Sequence, residues 1–307
     1  MRAFGFTEYG GPEVMRHLEV PDPVPGPGQV LIRLSAAGVN PADIKVRSGH
    51  RRGRIEVRFP MAMGREAAGN VVALGEGVTG FCPGDAVFGA TAAGTGALAE
   101  LVLLDAGGTA LRPATVPAEQ AASIPVSVAT AFDALDELDL SEGSTLLVLG
   151  AGGGVGTAAC GLARLRGLRV LGVASEQKRS IVEDLGAQLV LKGPDWAERA
   201  RELAPAGVDG VIDTVGGEVL RAGVGLLRTP GQVRSMADAS LVRELGGSPV
   251  TRRRTTEVFG RVAELVAEGQ FTPVVSGSWP LAEAEQAIAA VETGSPVGNV
   301  VVAERHP

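Results

Sequence analysis

Thr145-Leu-Leu-Val-Leu149, Gly150-Ala-Gly-Gly-Gly-Val-Gly156 and Thr157 to Leu165 follow one another as an apolar run, a glycine-rich turn and a helix-like segment. The apolar run is short and uninterrupted, as a buried parallel strand is. Strand, glycine turn and helix in this order form the cradle of a dinucleotide pyrophosphate. A helix start offers amides without intrahelical acceptors and the positive end of a dipole, both suited to an anion. Glycine lets the backbone come close to the phosphates with no Cβ in between. Read as G-x-G-x-x-G ending at Gly156, the pattern has Ala151 in first place, so Gly153 and Gly156 carry it. The expected cofactor contacts here are Gly150, Gly153, Gly154, Val155 and Gly156.

Leu168 to Ala174 is a second apolar run and the expected next parallel strand. The residues after it choose between dinucleotides. A carboxylate there holds a ribose 2′-OH, whereas cations and hydroxyls receive a 2′-phosphate. Ser175, Lys178 and Arg179 favour the phosphate, and hence NADPH. Glu176 opposes it unless that side chain faces solvent. The competing reading is that Lys178 and Arg179 only solvate a helix start.

With 307 residues, the chain is long enough for about two domains. Its 45% hydrophobic and 21% charged residues are those of a globular protein. A net charge of −7 and few aromatics argue against nucleic acid and anionic membrane as partners. No apolar stretch is long enough for a bilayer, and no basic segment with an apolar core opens the chain, so a cytoplasmic location is expected. Cys82 and Cys160 make no disulfide framework, and His17, His50 and His306 have no ligand-like spacing.

The chain changes character twice. Residues 1–123 are short strand-like runs such as Val30 to Ala36, Ala68 to Leu74 and Ala86 to Phe88, with Pro21, Pro23, Pro25 and Pro27 forming an extended linker. Between 124 and 267 strands and helices alternate, with strands beginning at or near Thr145, Leu168, Gln188, Val208 and Gly231. From 268 to 307, Phe271 to Trp279 reads as a strand, Leu281 to Val291 as an amphipathic helix and Gly298 to Ala303 as a last strand.

A set of motifs runs the length of the chain. They are Gly10-Gly-Pro-Glu-Val14, Pro25-Gly-Pro-Gly-Gln-Val30, Ala37-Gly-Val-Asn-Pro-Ala-Asp43, Gly64-Arg-Glu-Ala-Ala-Gly69, Pro83-Gly-Asp-Ala-Val87, Ala129-Thr-Ala131, the glycine turn and Val211-Ile-Asp-Thr-Val-Gly-Gly217. In this order they resemble the zinc-independent branch of the medium-chain dehydrogenase/reductase superfamily, and within it the NADPH:quinone oxidoreductases of the zeta-crystallin type. The resemblance implies an α/β protein: a GroES-like β-barrel domain from both ends of the chain (1–123 and 268–307) and an inserted doubly wound Rossmann domain (124–267). It also implies a homodimer. Where zinc-dependent relatives carry a Cys and a His as metal ligands, this chain has Asn40 and Arg65, so no metal is expected.

Without zinc, hydrogen-bond donors must stabilise the negative charge on the acceptor oxygen. Asn40 is the expected donor, or else a loop cap before Pro41. Asp43 matches the family pattern as an orienting or structural carboxylate. Lys45 stands where many relatives have Tyr, and can bind a carbonyl or an anionic group or point into water. Thr130 matches a threonine near the nicotinamide, with helix packing as the alternative. Val215 and Gly216 follow a strand that ends at Asp213, itself a candidate cap of the turn. Asn299 stands where relatives often carry a cation, and Lys192 near where they carry a tyrosine beside the adenosine. Arg51, Arg52, Arg54 and Arg58 form a basic stretch that either draws an anionic substrate or faces solvent. With aromatics at 4%, a cleft walled by stacked rings is not expected. Three functions remain open: an NADPH-dependent reductase of quinones or α,β-unsaturated carbonyls, an enoyl reductase acting on thioesters in a biosynthetic pathway, and an NADPH-binding protein with little turnover.

Overall fold

The computed structural model describes residues 1–294 and 296–304, so His306 lies outside the described residues. The chain divides into two compact units. The first comprises residues 1–126, 254–269 and 275–307, and the second 127–253 and 270–274.

In the second unit six parallel strands form one sheet. In order across it they are Ala187–Leu191, Arg169–Ala174, Thr145–Leu149, Gly210–Asp213, Val233–Ser235 and Ser248–Pro249. Numbered by appearance this is 3-2-1-4-5-6, the doubly wound order of a Rossmann fold. Leu147, Leu149, Leu171, Val173, Val211 and Val233 are buried along its strands, as the uninterrupted apolar runs require of a sheet covered on both faces. The strand order reverses between Thr145–Leu149 and Gly210–Asp213. Their carboxyl ends therefore open the crevice where ligands bind in such sheets.

The first unit is a barrel-like sheet of Val275–Trp279, Asn299–Ala303, Gln29–Val39, Glu66–Leu74, Ala86–Thr91 and Leu101–Leu111. Gln29–Val39 also pairs with Leu101–Leu111, which brings the sheet back on itself. Phe4, Phe6, Ile32, Leu34, Leu98 and Leu104 fill its core. The strand read from Val30 to Ala36 runs on to Val39, and the next residue, Asn40, caps the helix Pro41–Arg47. Pro41 at the first helical position costs no hydrogen bond, because that amide has no acceptor in a helix.

Two expectations from the tail differ from the structure. The border read at 268 places the helix Thr256–Ala267 with the Rossmann strands, but the helix belongs to the first unit. Phe259 meets Phe88 at 6.2 Å and Thr256 donates to the Thr109 carbonyl at 2.8 Å. A 3.6-residue period shows that a helix has an apolar face, not which sheet covers it. The strand read from Phe271 begins only at Val275. Phe271 is buried against Gly161, and Pro273 has no amide for a ladder. Among the described residues no helix is long and apolar enough to cross a membrane.

Candidate functional site

In the Rossmann unit the glycine turn closes tightly on its own backbone. The Gly150 and Ala151 amides donate to the Val173 carbonyl at 3.2 and 3.0 Å, and Gly153 donates to Gly150 at 3.2 Å. Gly150 has φ 84°, a conformation that favours glycine. The helix Gly154–Leu165 starts at once, so its first-turn amides, those of Gly154, Val155 and Gly156, point out with no intrahelical acceptor. The two pattern glycines do different work. A methyl on Gly156 would run into the Gly150 carbonyl and sit 2.7 Å from the Ala151 Cα. A methyl on Gly153 would meet only the Gly150 carbonyl oxygen, at 3.7 Å. Gly156 is small because the protein packs there, while Gly153 leaves open a cradle that a Cβ would narrow. These residues suit a dinucleotide pyrophosphate.

Across the crevice, Asp213 is fully buried and accepts from the amides of Val215 and Gly216 at 2.9 Å each and from the Ser235 hydroxyl at 2.6 Å. It caps its own turn. Thr214 donates to the Leu149 carbonyl at 2.8 Å, which holds this turn against the glycine turn. Val215 is left half exposed beside Gly150. Thr130 is buried in the first turn of the helix Ala129–Leu138.

At the end of strand Arg169–Ala174 the charges sort themselves. Arg179 is held by two carboxylates, Glu176 at 2.7 Å and Glu183 at 2.9 Å. This answers the opposing charge of Glu176, which faces solvent, and gives Arg179 two carboxylate partners in place of a phosphate. Lys178 behaves differently. Its stem lies over Gly152, where a methyl would be 3.0 Å from its Cβ, and its amide donates to the Ser175 carbonyl at 2.9 Å. Burial, and then the charge of Lys192, hold its ammonium below the usual lysine range. Lys192 follows the register pair Leu191–Ala174, and its amide donates to the Ala174 carbonyl at 2.8 Å. Ser175, Lys178 and Lys192 thus gather beside the glycine turn. Sequence reading placed Lys192 only as the residue nearest a missing tyrosine. The parallel register puts it here, and no local pattern reports that register.

In the barrel unit a second group is buried around Asn40. Asp43 Oδ2 accepts from the Asn40 amide at 2.8 Å, one half of a capping box. The Asn40 side chain Nδ2 donates to Glu66 Oε1 at 2.7 Å, and the Val126 amide donates to Glu66 Oε2 at 2.7 Å. Asn40, Asp43 and Glu66 are at most 7% exposed. Burial pushes the Asp43 carboxyl up to about 7, against the pull of the Asn40 amide, Arg65 and Arg254. Burial pushes Glu66 up to about 8, opposed by Asn40 and Val126 and reinforced by Asp43. Lys45 lies on the exposed face of the same short helix. Asn299 is buried at the start of its strand. Glu66 escaped the sequence reading, although the Gly-Arg-Glu motif contains it. A glutamate at the start of a strand gives no sign that it will be buried.

Next to this group is a cavity of about 270 Å³, lined by apolar Phe6, Val46, Ile55 and Met63 and by polar Asp43, Arg54 and Arg65. Asp43 Oδ1 and Arg65 Nε have no hydrogen-bond partner among the described residues. Among the described residues, Phe6 is the one aromatic lining this cavity, in keeping with the expectation that stacked rings do not wall it; the other rings meet behind Phe6. Tyr9 packs edge-on to Phe59 at 5.0 Å, Phe6 packs on Phe59 at 5.7 Å, and Arg52 stacks over Tyr9 at 4.2 Å. Within the basic stretch, Arg58 is paired with Glu56 at 2.6 Å and Arg54 reaches the cavity wall. Asn40 and Arg65 are not zinc-ligand types, and among the described residues there is no group of three or more His, Cys, Asp or Glu placed for a metal.

Two family models match the chain. Residues 26–125 match the alcohol dehydrogenase GroES-like domain, and residues 185–302 match the family described as zinc-binding dehydrogenase. The chain is 32% identical to the quinone oxidoreductase of Rattus norvegicus, over 94% of this chain and 92% of that one. It is 29% identical to the 2-methylene-furan-3-one reductase of Solanum lycopersicum, over 100% of this chain and 79% of the other. Among solved structures, a mycobacterial protein complexed with NADPH superposes with a TM-score of 0.89 at 33% identity, covering 99% of this chain and 100% of that one.

Proposed function

Because the chain belongs to the quinone oxidoreductase family of the medium-chain dehydrogenase/reductase superfamily, we propose that it is a zinc-independent, NADPH-dependent reductase of quinones or α,β-unsaturated carbonyls. The observation that carries this reading is the pair Lys178 and Lys192 beside the glycine turn, with Arg179 and Glu176 cancelling one another. A 2′-phosphate, not a bare ribose hydroxyl, answers two lysines and the Ser175 hydroxyl. The first-turn amides of Gly154, Val155 and Gly156 receive the pyrophosphate. Thr130, Val215, Gly216 and Asn299 complete the proposed contacts with the coenzyme, which when bound supplies a hydride.

The protein's own task is then to hold the acceptor and to meet the charge that grows on its oxygen. Asn40 does so with a side-chain N–H. A carboxylate would repel the growing negative charge, and Asp43 Oδ2 holds the Asn40 backbone, so Asp43 is read as acting at one remove. Lys45, exposed on the same helix, keeps both readings: donor to an acceptor or anionic group, or a solvent-facing cation. Asn40→Ala should lower kcat on the order of 100-fold while leaving the NADPH Kd unchanged, because the lost bond strengthens in the transition state. A panel of quinones, enones and enoyl thioesters followed by NADPH absorbance tests the whole reading. Tight NADPH binding with no acceptor consumed would instead make the protein a coenzyme binder. One observation favours the thioester as a second reading. Arg54 and Arg65, set among Asp43, Glu56 and Asp105 on the cavity wall, offer guanidinium donors to an anionic substrate group.

A further inference from the structure

We propose that Glu66 is a positioning residue that holds the Asn40 carboxamide in the orientation whose Nδ2 lies between Glu66 and the substrate oxygen. The inference rests on the reading of Asn40 as the oxygen-binding donor. It begins with a difference between the two groups that Glu66 faces. Oε2 accepts from the Val126 backbone amide at 2.7 Å, and a backbone amide cannot turn round. Oε1 faces the Asn40 carboxamide at 2.7 Å, and a carboxamide can exchange oxygen for nitrogen by a half turn about its last torsion.

The surroundings leave Glu66 no other place. It opens the strand Glu66–Leu74, and Asn40 directly follows the strand Gln29–Val39. The two strands pair at Ala37 and Ala67, so the two residues emerge side by side. The carboxylate lies over Gly38, where a methyl would come within 2.6 Å of Glu66 Cδ and 2.8 Å of the Ala122 carbonyl oxygen. Only glycine at 38 lets it lie there.

As a carboxylate, Glu66 can only accept, so Asn40 must present Nδ2 to it. One N–H is then bound to Glu66 and the second is left for the substrate oxygen. When Glu66 takes up a proton, the Val126 N–H on Oε2 favours the carbonyl oxygen there, the better acceptor, and the hydroxyl on the other side. The proton sits on Oε1 and needs an acceptor, so the Asn40 carboxamide turns and gives Oδ1 to Glu66. Proton and amide orientation are locked together. The charged groups acting on Glu66 are Asp43, which favours the proton, and Arg254, which opposes it; Arg65 acts on Asp43. Burial places the Glu66 exchange at about pH 8, within reach of assay.

Glu66→Gln tests this. Its Oε1 goes to Val126, so its Nε2 faces Asn40 and fixes the turned amide at every pH. In the wild type kcat should rise by at least about tenfold as pH passes upward through the Glu66 exchange. In Glu66→Gln that rise should be absent, and kcat should stay at the wild-type low-pH level with an unchanged NADPH Kd. Any separate step from Asp43, near pH 7, should persist. The Asn40 side-chain amide resonances of the wild type should shift with the same midpoint and stay constant in the variant. A Glu66→Gln enzyme that keeps the wild-type rise, or that loses the same factor at every pH, overturns the proposal. If Asn40→Ala lowers kcat while Glu66→Gln keeps the rise, the role of Asn40 stands and the role of Glu66 falls. If Asn40→Ala is also silent, both fall.

Discussion

Gly156→Ala is the sharpest test of the coenzyme cradle, because the structure says what one methyl must displace. Placed on Gly156, it lies 2.7 Å from Ala151 Cα, 2.8 Å from Ala151 carbonyl carbon, and closer still to the Gly150 carbonyl oxygen. Carbon atoms rest at about 3.5 Å or more, so the contact falls short by about 0.8 Å. Every atom in the way is backbone, so no side chain can swing aside. Helix and turn must separate, at a cost of about 1–3 kcal/mol. The same shift draws the first-turn amides off the phosphates. One charged hydrogen bond lost, at about 1.5–3 kcal/mol, weakens NADPH by about 10- to 100-fold. Gly153→Ala is the companion. Its methyl has room within the protein, the nearest atom being 3.7 Å away, so stability should hold while NADPH affinity falls. Urea unfolding and NADPH titration by fluorescence, run on both variants, read the two effects separately. Wild-type stability and affinity in Gly156→Ala would refute the packing argument, and unchanged affinity in Gly153→Ala would remove the phosphates from the turn.

Lys178→Ala and Lys192→Ala should each raise the Kd of 2′,5′-ADP by about tenfold and leave that of 5′-AMP unchanged, as calorimetry would show; an equal effect on both ligands would mean that neither lysine meets the 2′-phosphate. Asp213→Ala strands two amides and a hydroxyl inside the protein and should cost about 3 kcal/mol in urea unfolding. The buried carboxyls fix the sign of a pH effect on stability. Asp43 and Glu66 have folded pKa values of about 7 and about 8, above their ordinary 3.8 and 4.5. The folded state holds their protons more tightly, so their contribution is whole below about pH 4 and is lost as pH rises through 7 and 8. Each can account for a loss on the order of 4 kcal/mol. Their share of the unfolding free energy should fall from about pH 4 to about pH 8 and be flat above that, and the fall should be less steep in Glu66→Gln; a wild type that gains stability between about pH 6 and pH 8 would contradict the burial of these groups.

The sequence by itself determined the strand–turn–helix unit, the alternation that makes a doubly wound sheet, and the residue kinds at the end of its second strand. These are local: a buried strand is apolar throughout, a phosphate turn is glycine-rich, and both can be read a few residues at a time. Only the tertiary structure decided that Arg179 is spent on two carboxylates while Lys192, across the parallel register, joins Lys178. It alone set Glu66 against Asn40, gathered Tyr9 with Phe59 and gave the helix Thr256–Ala267 to the barrel. In each case the partners are far apart in sequence or compete for one group. Burial, charge pairing and strand register are properties of the folded whole, and no short window of residues contains them.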